Sequence, residues 1–564
     1  MQALKRMTLV TPFSSAPFAV RWDKISLVTS VLMLLNIVAM PLKAYISEEL
    51  PWHSDDKPLT PYQSMSAWDP AYLLLNQALF NRDSLVGRPS FYENRTLRTD
   101  IFRVVLDVHD KAPTPVADCL PFLYDLPGLI VYSKSFRDLL CSFASVDHRN
   151  STNVQDGEWH LKGACQSDTF MGLLLGRGCI WLTVGDDMLE APAPPGIFTM
   201  TISFQRTKFY KWLWVKFVYR VLLIALVTSI AWRHYYRRCR ELRAAIRHYG
   251  HAVSQSPDIW SYEIVVGDPT ALVLIDPVVC SLFCIDVCLS MEYVALALVR
   301  VTQLGNVDYL FSAFLYFSRL VWFAYFALSA TDRILKRYAK EHLFAEVDKT
   351  LVAIGVSLAV IPLEYFQANT VVVELYFWIF GLLPSENPDH QLEGVIGCTV
   401  LCLSIASLSV IFGFGRRTYL SHRSKSKRRM TRYTSQEFSA FKSKSIVRFV
   451  RCLCRRRHTT IESGGSIYAA FAANPRYVMY PTIGLRSLDC FIVCKEHGVS
   501  VNTMRVSLRQ SLDRCLHDPL AVISESKDDP PTSVFPSVVH TWDSSSQRKT
   551  FQLKRGIVPS PWIM

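Results

Sequence analysis

Residues 210–240 read YKWLWVKFVYRVLLIALVTSIAWRHYYRRCR, and the polarity of this stretch carries the first decision about the fold. Trp212 and Trp232 bracket an apolar run long enough, at about 1.5 Å per helical residue, to cross a hydrocarbon core roughly 30 Å thick. Past Trp232 the chain turns abruptly basic, with Arg233, Arg237, Arg238, Arg240 and Arg243. The positive-inside rule makes that end cytoplasmic. Lys216 and Arg220 lie one turn apart in the other half of the run, where each needs a route to the interface or an acidic partner.

Upstream, residues 47–208 differ in character: mixed polarity, proline-containing turns, the sequons at Asn94 and Asn150, and four cysteines, Cys119, Cys141, Cys165 and Cys179. Glycosylation sequons and an even set of cysteines point to the luminal or extracellular side, opposite the arginines. Two disulfides are expected, with three pairings open. Pro70–Phe80 reads as a helix with Pro70 at its first position, whereas Gly128–Tyr132, Cys179–Val184 and Phe198–Phe204 read as strands. The expectation is a small α+β luminal domain.

The same reading extended to the whole chain predicts an α-helical multispanning membrane protein of about six transmembrane helices, with that domain between the first two. Residues 1–24 form a cytoplasmic N-terminus and 25–42 a signal anchor, with a cleaved signal peptide as the rival. Spans follow at 212–232, 278–301, 309–330, 351–366 and 395–414. Residues 233–276 form a basic cytoplasmic loop, 331–350 a basic linker and 416–564 a basic cytoplasmic tail. The apolar run 371–383 is too short to cross and reads as re-entrant or interfacial.

Of the chain's 564 residues half are hydrophobic, and its formal net charge is +13. Because the basic excess flanks the apolar runs, the expected partners are the bilayer and anionic lipid rather than nucleic acid. Ionisable residues inside spans ask for a partner or a task. Asp286 and Arg319 fall near mid-span on neighbouring helices and are expected to pair. Glu292 and Glu364 fall at the depth of Lys216 and Arg220, and Glu374 in the short run completes a candidate acidic vestibule. Paired charges that lock a helical bundle are the competing reading of the same residues.

A luminal domain after the first span, four further spans and a short apolar dip before the last resemble the layout of polycystin and mucolipin channels. The likeness is one of order and spacing. No filter motif accompanies it, so no residue role is transferred. Two functions remain open: a cation channel or transport protein with a luminal regulatory domain, and a receptor or signalling scaffold whose ectodomain binds a ligand or a second copy. An enzyme ranks third, since neither the luminal histidines nor Cys490, Cys494 and His497 stand at catalytic or zinc spacing. No metal or cofactor is expected. The localisation implied is plasma membrane or endomembrane of the secretory pathway, both termini cytoplasmic.

Overall fold

The computed structural model describes residues 17–53, 70–147, 162–185, 196–206, 210–251, 256–301, 307–359, 378, 390–426, 466–513, 533–543 and 548–564, apart from isolated positions within them. Strand β1 (Ala19–Trp22) leads into helix α1 (Lys24–Val38). Asp23 caps α1, its carboxylate accepting from the Ser26 amide at 3.2 Å. A 3-10 segment, Pro41–Ile46, carries the chain onward.

The first sheet is built from β2 (Phe91–Asn94), β3 (Thr99–Asp107), β4 (Gly163–Phe170), β5 (Leu173–Val184) and β6 (Ile197–Arg206), with β8 (His390–Gln391) added in parallel at the β4 edge. Its order is β2-β3-β6-β5-β4-β8. Side chains alternate across the faces of a strand, and β5 uses both faces. Cys179 and Trp181 join Tyr72 and Leu73 of helix α2 (Pro70–Leu79). Ile180 and Leu182 join Leu123 of α3 (Leu120–Tyr124) and Phe136, Leu140 and Phe143 of α4 (Lys134–Ala144). The domain is thus α+β, as its composition implies. The strand expected over Gly128–Tyr132 is absent at its described positions: Leu129 lies in a helical turn and Tyr132 in irregular chain, both buried. A short apolar run does not by itself distinguish a strand from a buried turn.

Below this sheet lies a helical layer. Helix α5 (Tyr210–Ala231) continues through a π-turn at Trp232–Tyr236 into α6 (Arg237–Tyr249). After β7 (Trp260–Val265) come α7 (Pro277–Cys288), α8 (Met291–Val301), α9 (Val307–Phe317), α10 (Val321–Arg337), α11 (Lys349–Ala359) and α12 (Glu393–Ser426). At the far end a second sheet of order β1-β7-β9-β10-β13 joins β1 and β7 to β9 (Cys490–Glu496), β10 (Val499–Leu508) and β13 (Trp562–Ile563). A separate hairpin, β11 (Ser537–Asp543) with β12 (Arg548–Lys554), completes three sheets.

The six-span fold class is therefore corrected. Among the described residues three helices are long and apolar enough to cross a membrane: Lys211–Tyr249, Val307–Arg337 and Leu401–Tyr419. Two of the other expected spans fall short. Residues 25–42 hold a 15-residue helix and then a 3-10 turn, and 278–301 are broken at Leu289 and Ser290 into helices of 12 and 11 residues. Of the span expected over 351–366, residues 351–359 are described and lie in the helix Lys349–Ala359, and the rest falls outside the described residues. A crossing helix needs about 20 residues. Hydropathy counts apolar length without seeing where side-chain charges and sheets interrupt a helix, and it overlooked the folded part of the C-terminal tail. There Trp562 is fully buried and donates from Nε1 to Arg238 O at 2.8 Å. Helix α10 runs unbroken to Arg337, into the segment 331–350.

The three long helices share one direction. Tyr309 at the start of α9 packs edge-on against Phe91 of the first sheet, with centroids 4.9 Å apart. Near the end of α10, Lys336 donates to Asp513 Oδ2 at 2.7 Å beside the second sheet. Helix α12 likewise starts next to β8 and approaches Glu346 at its far end, where Arg416 Nη1 donates to that residue's backbone carbonyl at 2.9 Å.

Candidate functional site

Five charged side chains converge on one point of the helical layer, next to the break at Leu289 and Ser290 and the 3-10 turn Ser318–Leu320. Arg220 of α5 grips two carboxylates: Nη1 and Nη2 each donate to Glu48 at 2.8 Å, and Nε donates to Asp286 Oδ1 at 2.8 Å. Such a bidentate fork is the strongest ion-pair geometry available to arginine. Arg319, on the 3-10 turn Ser318–Leu320 between α9 and α10, meets Asp286 Oδ2 at 2.5 Å and Glu48 Oε1 at 3.4 Å. Lys216 stands one turn before Arg220, 3.2 Å from Glu48 Oε2. All five side chains are buried.

Breaking a helix frees backbone carbonyls that a buried site must satisfy. The cluster does this. Arg319 Nη2 donates to Asp286 O at 3.3 Å, and the Tyr316 hydroxyl lies 3.1 Å from Ser290 O. Ser290 Oγ in turn accepts from Arg220 Nη2 at 3.1 Å. Aromatic faces take up the remaining guanidinium surface: Tyr45 beneath Arg220 and Tyr316 beneath Arg319, each 4.8 Å from centroid to guanidinium carbon.

A second charged group joins the first sheet to the layer. Arg206, closing β6, donates to Glu93 Oε1 at 3.0 Å, and its Nε lies 3.1 Å from Asp100 Oδ2 as an ion pair without hydrogen-bond alignment. Arg300 of α8 lies 3.5 Å from Glu93 Oε2 and donates to Ser47 Oγ at 2.9 Å. Tyr293 touches both groups, its ring 5.5 Å from Arg206 and 5.3 Å from Lys216. Burial pushes the Asp100 carboxyl up to about 6 despite Arg206 beside it. At the opposite end Lys349 is held by Asp268 Oδ2 and Thr270 Oγ1, each at 2.6 Å, and by Ser487 Oγ at 3.1 Å. There the Asp268 carboxyl is held low, because Lys349 and the Thr270 bonds outweigh the effect of burial.

The structure brings together Asp286, Arg319, Lys216 and Arg220 from the sequence reading. Glu48, which binds three of them, was missed because depth was assigned only to charges inside apolar runs, and Glu48 stands just beyond one. The signal available was an acid within a few residues of the end of a run. Of the remaining candidates, Glu292 is on α8 but its side chain lies outside the described residues, as do Glu364, Glu374 and Asn150 entirely. Asn94 ends β2, its Oδ1 accepting from the Leu97 amide at 3.1 Å.

The four cysteines form two pairs at disulfide distance. Cys119, the residue before α3, and Cys141 of α4 have Cα atoms 5.4 Å apart, and Cys165 and Cys179 face each other across β4 and β5 at 4.0 Å. No group of three or more metal-ligating side chains occurs among the described residues. No protein-family model matches the chain, and no similar curated protein or solved structure was found.

Proposed function

We propose that this chain is an integral membrane protein of the secretory pathway or cell surface. Its glycosylated, disulfide-braced ectodomain receives a ligand, and the helical layer relays the ectodomain's state to the second sheet on the cytoplasmic side. The observation that carries the membrane part is an inverted polarity. In the helical layer Arg220 is fully buried while Leu222, two residues on, is 64% exposed, as is Leu403, with Ile411 at 63%. Water would favour the reverse, whereas hydrocarbon favours this arrangement.

The relay part rests on continuity. The charged network runs from Asp100 in the ectodomain through Tyr293 to Asp286, and β8 of the segment entering α12 is hydrogen-bonded to the ectodomain sheet. A cation channel is the weaker reading here. Lys216 and Arg220, together with Glu48 and Asp286, are engaged in ion pairs, which favours the reading of paired charges that lock the helices together.

Alkaline carbonate extraction tests the membrane reading: the protein should stay with the membranes, and release into the supernatant overturns it. Glycosidase digestion should shift its mobility, with the shift lost in the Asn94→Gln, Asn150→Gln double variant. A cation current from the reconstituted protein that changes with Glu374→Gln overturns the receptor reading in favour of a channel.

A further inference from the structure

We infer that the exposed basic face beginning at Trp232 is a docking surface for anionic phospholipid headgroups in the leaflet next to the second sheet; this rests on the membrane reading above. Arg233, Arg237 and Arg240 follow one another at helical spacing and are exposed, while Tyr235, Cys239, Leu242 and Ile246 on the other side are buried. The one acid on α6, Glu241, is already shared between Arg237 at 3.4 Å and Arg238 at 2.9 Å. Arg240 stands 6.0 Å from the exposed Trp232 ring, placing an interface-seeking indole beside a guanidinium. On α10, ending at the same side, Arg333 and Arg337 repeat the pattern one turn apart.

Position selects lipid over a soluble polyanion. These arginines begin at the polar limit of α5, whose exposed Val215, Val218, Val221 and Leu222 belong in hydrocarbon, so the guanidiniums stand at headgroup depth. A phosphate diester there can meet the planar fork while its acyl chains run along the last turns of α5 toward the exposed Leu222, about 16 Å away at 1.5 Å per residue.

The test uses the full chain, purified in detergent and equilibrated in mixed micelles of phosphatidylserine and phosphatidylcholine, with retained lipid counted by mass spectrometry. Each basic side chain near an anionic surface contributes roughly fivefold. The parent should therefore retain phosphatidylserine well above its bulk proportion, and R233Q/R237Q/R240Q should lose roughly 100-fold of that preference. The triple lysine replacement should keep most of it. Retention of the two lipids in bulk proportion by the parent overturns the inference, as does an unchanged preference in the glutamine variant. Should that variant not fold, salt decides: a preference surviving about 0.5 M salt in the parent overturns the inference, and its loss supports it. Failure of the membrane reading is distinguished by release of the protein in carbonate.

Discussion

The domain of the first sheet and the helical layer solve opposite problems with the same amino acids. In the first-sheet domain, Phe143 and Phe198 meet edge to face at 4.9 Å in a buried interior, and two cysteine pairs brace the surrounding elements. In the helical layer five formal charges take the interior and the aliphatic side chains face outward. The first region is stabilised by removing apolar area from water. The second has no such term where its surroundings are apolar, and it is held by close packing and directional polar contacts. The medium a region is built for can therefore be read from which residue type it hides.

The largest expected effect comes from cutting the polar interior. Arg220→Met removes the guanidinium that forks Glu48 and reaches Asp286, leaving the two acids to Arg319 and Lys216, and removal of one member of a buried pair costs about 3–5 kcal/mol. Thermal unfolding followed by size exclusion in detergent should show loss of the folded species, and a wild-type melting curve would remove the cluster from any structural role. Exchanging charges through Asp286→Arg with Arg319→Asp should restore stability only in part, because Arg220 would then face a like charge.

Next in size, Cys165→Ser in the first-sheet domain opens a 14-residue separation between β4 and β5. Closing a loop of that size contributes about 3 kcal/mol in the chain-entropy model. Proteolysis should accelerate in the first-sheet domain while the helical layer stays protected, and equal acceleration in both would erase the division between the two regions.

The smallest effect concerns the junction between them. Asp100 has its carboxyl raised to about 6, so the folded state holds the proton more tightly than the unfolded chain, where the value is near 3.8. Its stabilising protonated form is fully present below about pH 4 and is lost as pH rises through 6. Asp100→Asn should leave stability unchanged near pH 4 and raise it by roughly 2 kcal/mol at pH 7. Melting temperatures across that range check the sign, and a variant less stable at pH 7 would mean that the Arg206 pairing outweighs desolvation.

Much of the chain was legible before folding. The β5 and β6 strands, the α2 helix and the α+β character of the first-sheet domain followed from alternation, a proline at a helix start and turn residues. A helix over 212–232 followed from one apolar run with tryptophans at its ends, but its continuation to Tyr249 did not, because the arginines past Trp232 read as a loop. The number of long helices did not. The α7 and α8 segments form one apolar block in the sequence, yet the chain breaks at Leu289 and Ser290, where Tyr316 donates to Ser290 O and Arg319 to Asp286 O. The second sheet was equally hidden, because β1 and β9 come from opposite ends of the chain and neither carries a strand signal that names its partner.

By itself the sequence determined which segments are apolar, where positive charge gathers and which loop carries the sequons and cysteines, because those properties belong to residues and their near neighbours. Only the tertiary structure decided that Cys119 pairs with Cys141, that Glu48 is the carboxylate Arg220 grips, and that the C-terminal strands complete a sheet begun at Ala19. Those are contacts between residues far apart in the chain, and a buried charge, having no solvent to neutralise it, takes whichever opposite charge the packing of the helices brings within reach.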